Sequence, residues 1–415
     1  MIDGLITVAR WDLVQRLRSR RLRTGWIIWV VALAGLAGFV FWASIAGTYP
    51  PPDPVTRTGP LVFGLVVLLT LTSSLVIVPI FSASSIVSER ESATLATLQA
   101  TTLRPGQIAG GKLLSACAVA AVFMAGGIPA MAIAIAAGHM NVGRAAICLL
   151  VMYAEMVTLC AIALGWSAVA NRALVSTVLT YLTVFTLTIV TLIAFFCLSV
   201  VNTTTVTIRI WQPSEKLLAD YASQLDGYFK DHPTDDGTPP PAPPMAGCQW
   251  RSQTREYQQH TERYWWLLLA NPFVIVSDAA PLPPWATGGI EGYNQQGDDP
   301  LAGIALLVRE ARLGQPTTQD DCFTSTSWAH DYRIDPNDDG SFTIKKFYDN
   351  GYYVRDTSPA QRPESPVPPP PVTTSTPLWP IGLGFNLLIA VLFFAMAVRR
   401  VAVPYGPLPK GQRVA

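Results

Sequence analysis

Charge is scarce in this sequence. Asp, Glu, Lys and Arg make up 14% of its 415 residues, against roughly 25% in soluble domains. That deficit excludes an ordinary soluble globular class for most of the chain. Histidine is scarcer still: His139, His232, His260 and His330 are scattered without ligand spacing, so no zinc site is assigned. Paired carboxylates, a nucleophile elbow and a metal cluster are all missing, and the chain reads as a non-enzyme. Gly106–Lys112 (GQIAGGK) has the spacing of a phosphate-binding loop, but Leu113 stands where Ser or Thr would hold Mg²⁺, and no buried strand precedes it. Any ATP and Mg²⁺ must therefore be bound by another polypeptide, and no cofactor is expected in this chain. Asp335, Asn337, Asp339 and Gly340 match half of a calcium loop, yet the twelfth position is Lys346 rather than Glu. An acidic turn is the better reading. The net charge of +1 says little about partners, and no nucleic acid is expected among them.

What the sequence has in abundance is apolar runs. Six are long enough to cross a bilayer, which takes about 20 helical residues: Trp26–Ala46, Pro60–Ala83, Leu113–Ala137, Ala145–Val169, Ala173–Val201 and Leu378–Val398. Basic residues cluster before the first run (Arg10, Arg16, Arg18, Arg20, Arg21, Arg23), between the second and third (Arg90, Arg104, Lys112), at Arg172 and after the last (Arg399, Arg400, Lys410, Arg413). The other side offers Arg57 and Arg144 in its short loops. Positive-inside bias puts both termini in the cytoplasm of a multi-pass plasma-membrane protein surrounded by membrane lipids. A cleavable signal peptide fits the first run poorly, because the run exceeds a typical h-region and no A-x-A site follows.

The expected fold class is a polytopic α-helical membrane protein, with six transmembrane helices and a large mixed α+β extracytoplasmic domain between helices 5 and 6. Residues 1–25 form an amphipathic helix, with Leu5, Ile6, Ala9, Leu13 and Leu17 at helical spacing. Residues 26–201 form the membrane domain, interrupted by a loop at 84–112. Residues 202–377 are the external domain, 378–398 the sixth span and 399–415 a cytoplasmic tail. Within the external domain, Val206, Ile208 and Ile210 alternate as in a strand. Pro213-Ser214 opens a helix, Leu301–Leu313 is a second helix, and Phe342–Val354 is a hairpin around Asp349-Asn350-Gly351. Thr238–Pro244 and Gln361–Pro371 are Pro-rich tethers. Cys248 and Cys322 are the only external cysteines, and in an oxidising compartment they form a disulfide. Tyr264–Ala280 (YWWLLLANPFVIVSDAA) is too short to span and is broken by Asn271-Pro272. Two readings stay open: a dip into the membrane with Trp265 and Trp266 at headgroup depth, or a core helix of the external domain.

Ser88–Leu114 (SERESATLATLQATTLRPGQIAGGKLL) is a charged, helix-forming segment between two apolar runs. It resembles the signature of ABC-2-type transporter permeases, in which an acidic helix runs into Gly-Lys at the third span. Glu89, Arg90, Glu91, Thr94, Leu95, Leu98, Thr101, Leu103, Gly111 and Lys112 fit. Ala93 stands where Gly is usual, and Ala96 and Thr97 also depart from the pattern. The resemblance implies a permease dimer, of two copies or two related chains, served by cytoplasmic ABC ATPase subunits. It implies that Glu89, Arg90, Glu91, Leu95, Leu98 and Arg104 form the ATPase-coupling segment and that residues 1–25 are a connecting helix touching the ATPase. It also implies that the second and fifth spans border the substrate path. A plainer alternative for Glu89 and Glu91 is solvated charge at the membrane edge.

Two groups within the spans are path candidates. Glu155 is the only carboxylate deep in an expected span, a costly placement; it serves either a substrate or proton path or a structural hydrogen bond. Thr177, Thr180, Thr188 and Thr191 share a face of the fifth span. They either line a polar path together with Thr70 and Ser73 or make structural hydrogen bonds.

Overall fold

The computed structural model describes residues 2–18, 20–46, 54–92, 103–232, 241, 247–282, 299–322, 332–336, 342–348, 351–357 and 376–402. The helices of the bundle are α1 (Ile2–Leu17), α2 (Arg20–Ala46), α3 (Pro54–Ser82), α4 (Val87–Glu91), α5 (Pro105–Ala125), α6 (Ile128–Ala137), α7 (Val142–Val169), α8 (Ala173–Phe185) and α9 (Thr191–Val201). A π-helical turn, Thr186–Val190, joins α8 to α9. Then come β1 (Thr203–Pro213), α10 (Glu215–Asp231), β2 (Cys248–Gln259), α11 (Pro272–Ala279), α12 (Pro300–Leu313), β3 (Thr318–Asp320), β4 (Tyr332–Pro336), β5 (Phe342–Tyr348), β6 (Gly351–Thr357) and α13 (Trp379–Ala402).

Six helical stretches are long and apolar enough to cross a membrane: Arg23–Ala46, Thr58–Glu91, Pro105–Ala125, Val142–Val169, Ala173–Val201 and Trp379–Ala402. The chain is a multi-pass membrane protein. The third stretch departs from the expected Leu113–Ala137. It starts eight residues earlier, at Pro105, and ends at Ala125, where Gly126-Gly127 turns the chain and Pro129 opens the separate helix α6. Hydropathy is continuous across this break, so only the backbone reveals it.

α7 lies at the centre and packs along α13, α3 and α5. Phe63, Val66, Leu71, Met131, Met152 and Met156 are almost fully buried between α3, α6 and α7. Between helices in lipid the gain comes from close packing rather than from escape from water, so small residues sit at the contacts. A Cβ on Gly111 would lie 2.7 Å from Val8 Cβ, so this glycine lets α1 lie against α5. α1 is therefore docked on the bundle: Ala9 is buried, while Ile6 and Trp11 are exposed.

β1 pairs antiparallel with β2 and, through Arg209–Trp211, parallel with β3, giving the order β2-β1-β3. Ile208 and Ile210 face inward, as the alternation predicts. Ser214 caps α10 by accepting from the Leu217 N–H. β2 escapes sequence reading because CQWRSQTREYQQ carries no apolar alternation. Cys248 and Cys322 are disulfide-bonded, with Cα atoms 6.0 Å apart, fastening the start of β2 to the segment after β3. A second sheet runs β4-β5-β6, and the expected hairpin is its β5–β6 pair, closed at Tyr348↔Gly351. Asn337, Asp339, Gly340 and both Pro-rich tethers lie outside the described residues, apart from Pro241 in the first tether.

Tyr264–Ala280 forms two arms. A 3-10 run, Trp265–Ala270, meets α11 at Asn271-Pro272. Leu268 and Val274 pack with Phe195 of α9 and Val308 of α12. Val276 sits beside Cys148 of α7, whose Sγ is 3.6 Å from the Val276 carbonyl. The segment is a hairpin packed among α7, α9, α12 and α13. A Cβ on Gly382 of α13 would meet the Leu269 carbonyl at 2.6 Å, so this glycine admits the wedge.

Candidate functional site

The charges of the segment resembling a coupling helix are held in place by helix ends. Arg90 donates to the carbonyls of Ala168 (3.0 Å) and Ala170 (3.1 Å), at the C-terminus of α7. Glu91 accepts from the Ala173 N–H (3.0 Å), at the start of α8. A cation on terminal carbonyls and an anion on a first-turn amide both complement the helix dipoles. The backbone N–H groups of Ile86 and Val87 donate to Ser167 Oγ at 3.0 and 3.2 Å. Glu89 pairs with Lys112 at 2.6 Å, and Lys112 also donates to the Ser85 carbonyl at 2.9 Å.

Ser85, Ile86 and Val87 are buried, and Pro105–Lys112 are the first turns of α5. With Glu89 opposite, Lys112 is tolerated at 4% exposure inside the bundle. Arg104 is the N-cap residue of α5, and Gln107 accepts from its backbone N–H (2.8 Å). Leu95 and Leu98 lie outside the described residues. A cleft of about 560 Å³ opens here, lined by Asp12, Arg16, Ser85, Ser88, Glu89 and Lys112. Asp12 bonds Arg16 at 2.8 Å and Ser115, tying α1 to α5.

A second polar centre lies midway along α7. Glu155 is the fourteenth of its 28 residues and is 2% exposed. Asn386 of α13 donates through Nδ2 to Glu155 Oε2 (2.9 Å) and to the Ala270 carbonyl (3.3 Å). The next residue, Asn271, donates to the Thr188 carbonyl (2.8 Å) in the π-helical turn and lies 3.4 Å from Thr191 Oγ1. π-turns alter the backbone hydrogen-bond register and recur at functional sites. Glu155 Oε1 and Asn386 Oδ1 are buried with no hydrogen-bond partner among the described residues.

Nearer the β1 end, Asp278 pairs with Arg309 (2.7 Å) and accepts from the N–H groups of Leu378 and Trp379, capping α13. Asp299 caps α12 by accepting from the Leu301 N–H (3.0 Å). Burial pushes its carboxyl up to about 6, against the lowering effect of the Ala302 and Leu301 amides.

The threonine face takes a plainer form. Thr177, Thr180, Thr188 and Thr191 each donate to the carbonyl four residues back, at 2.8–3.0 Å, and Thr70 does the same at 2.7 Å. Thr70, Thr180 and Thr188 are buried, and Ser73 is half-buried. None of these residues lines the cleft just described. Of the expected path residues, the fold therefore brings together Glu155, Thr188 and Thr191, through Asn386 and Asn271. Sequence reading missed Asn386 and took Asn271 only as the break before Pro272. Asn386 was detectable as the one amide in the apolar run Phe385–Val398. No family model matches the chain, and no curated protein sequence matches it.

Proposed function

We propose that this chain is the permease subunit of an ATP-driven exporter of the ABC-2 type. Two permeases would work with two separate cytoplasmic ATPase subunits, in the plasma membrane, with both termini inside. The observation that carries this reading is the clamp at Glu89-Arg90-Glu91. A segment joined by its own charges to α5, to the end of α7 and to the start of α8 passes a push on one element to all three spans. α1, docked on the same end of α5, is the natural second contact for the ATPase. The disulfide and the two sheets suit an oxidising, extracytoplasmic side, and the hairpin at Trp265–Ala279 suits a re-entrant insertion from that side. The substrate class is a lipid, glycan, peptide or drug-like molecule.

A second reading has its own observation. The threonine hydroxyls bond to carbonyls of their own helix, as in a chain that transmits force to its external domain and moves nothing. The deciding experiment is ATPase activity of the protein purified from its native membrane and reconstituted in lipid. Activity carried by a co-purifying ATP-binding subunit, and lost on charge reversal at Glu89 and Glu91 in a variant that still folds, supports a coupled machine. Normal coupled transport by that double variant sinks the proposal. ATP hydrolysis stimulated by no lipid, glycan, peptide or drug favours force transmission.

A further inference from the structure

None of the expected path residues lines an apolar groove of about 980 Å³ between α2, α3 and α5, which has Arg16 and Arg23 among its lining residues. Its volume is at the upper limit of small-molecule sites, which run from roughly 300 to 1,000 Å³. Ile28, Ala32, Ile77, Phe81 and Val119 are among its walls. Along α2 it runs from Arg23 to Ala32, nine residues, or about 14 Å at roughly 1.5 Å per residue. That is close to one leaflet of a hydrocarbon core about 30 Å thick.

The two arginines at its mouth differ. Arg16 is neutralised by Asp12 (2.8 Å) and donates to the Phe81 carbonyl (3.0 Å). Arg23 is exposed and makes no ion pair among the described residues. Trp26, which donates to the Val122 carbonyl (2.9 Å), and Trp29, stacked on Phe123 (5.0 Å between centroids), form the wall just beyond it. A groove one leaflet deep, greasy along its length and cationic at its interfacial end, matches one kind of molecule.

We infer that this groove binds an anionic diacyl phospholipid, its chains between α2, α3 and α5 and its headgroup phosphate on Arg23. Basic pockets between transmembrane helices recognise anionic headgroups by this combination. The inference rests on the membrane placement alone and stands or falls apart from the permease reading. α2 is the least buried of the six spans, so a lipid filling this groove would fix its position against α3 and α5.

The test uses the full-length protein, delipidated in detergent and titrated with phosphatidylglycerol or phosphatidylcholine while bound lipid is counted by native mass spectrometry. Phosphatidylglycerol is expected to bind tighter. Arg23→Gln should weaken it about fivefold, the worth of roughly one basic residue at a membrane surface, leaving phosphatidylcholine unchanged. Ala32→Trp, on an exposed wall position, should remove both lipids from the site. Arg10→Gln, exposed and outside the groove, should change nothing. Equal binding of the two lipids, an unaltered Arg23→Gln variant that melts like wild type, or full competition by inorganic phosphate would overturn the inference.

Discussion

The two polar centres of the bundle are built on different principles. At the α1 end every charge of the 89–91 segment meets an opposite charge or a helix terminus, and Lys112 is buried only because Glu89 faces it. At mid-bundle, Glu155 and Asn386 share one hydrogen bond and each retains an unused acceptor. The first arrangement fixes geometry. The second leaves polar capacity in a place where unmet hydrogen bonds are expensive. A joint of paired charges and a site that can accept a further donor are therefore separated along α7, one at its end and one at its middle.

Breaking the joint should have the largest effect. Lys112→Met removes the buried cation paired with Glu89 and is expected to destabilise the protein by roughly 3–5 kcal/mol, as for other broken buried pairs. Thermal unfolding in detergent measures this, and adding Glu89→Gln should restore most of the loss. If the double variant is no better than the single, the pair is not what holds α4 to α5.

Asp299 provides an intermediate effect, because it is a buried carboxyl with a defined task. Its folded value, about 6, lies above the ordinary 3.8. The stability linked to it is therefore complete below about 3.8 and is lost as pH rises through about 6. That loss amounts to about 3 kcal/mol. Asp299→Asn keeps the cap, since Asn accepts from the same amide, and should flatten the stability profile between about pH 4 and 7. An unchanged slope would mean that Asp299 is solvated.

The smallest effect sharpens the contrast from the other side. Glu155→Gln keeps an acceptor for Asn386 and adds a donor for its unused Oδ1. It is expected to stabilise the protein by about 1 kcal/mol. Unchanged transport by this variant assigns Glu155 a structural role, whereas lost transport with improved stability assigns it to the path.

Much of the architecture was legible in the sequence because lipid imposes a length rule on apolar runs. Ser214 and the alternation at Ile208 and Ile210 were equally readable, since capping and pleating are local. Lys112 misled. A charge in an apolar run normally marks a membrane edge, and nothing local says that Glu89, 23 residues earlier, will neutralise it. The break at Gly126-Gly127 was masked by unbroken hydropathy. β2 was invisible because its residues are polar on both faces.

The sequence by itself determined six membrane-crossing runs, the cysteine pair Cys248–Cys322 and the break at Asn271-Pro272, all of them set by residues close in the chain or by simple elimination. Only the tertiary structure decided that Arg90 and Glu91 clamp the α7–α8 turn, that Asn386 meets Glu155, and that the 264–280 hairpin reaches the centre of the bundle. Those contacts join residues 78 to 231 positions apart. Their partners are chosen by which helices pack together, and local spacing carries no record of that choice.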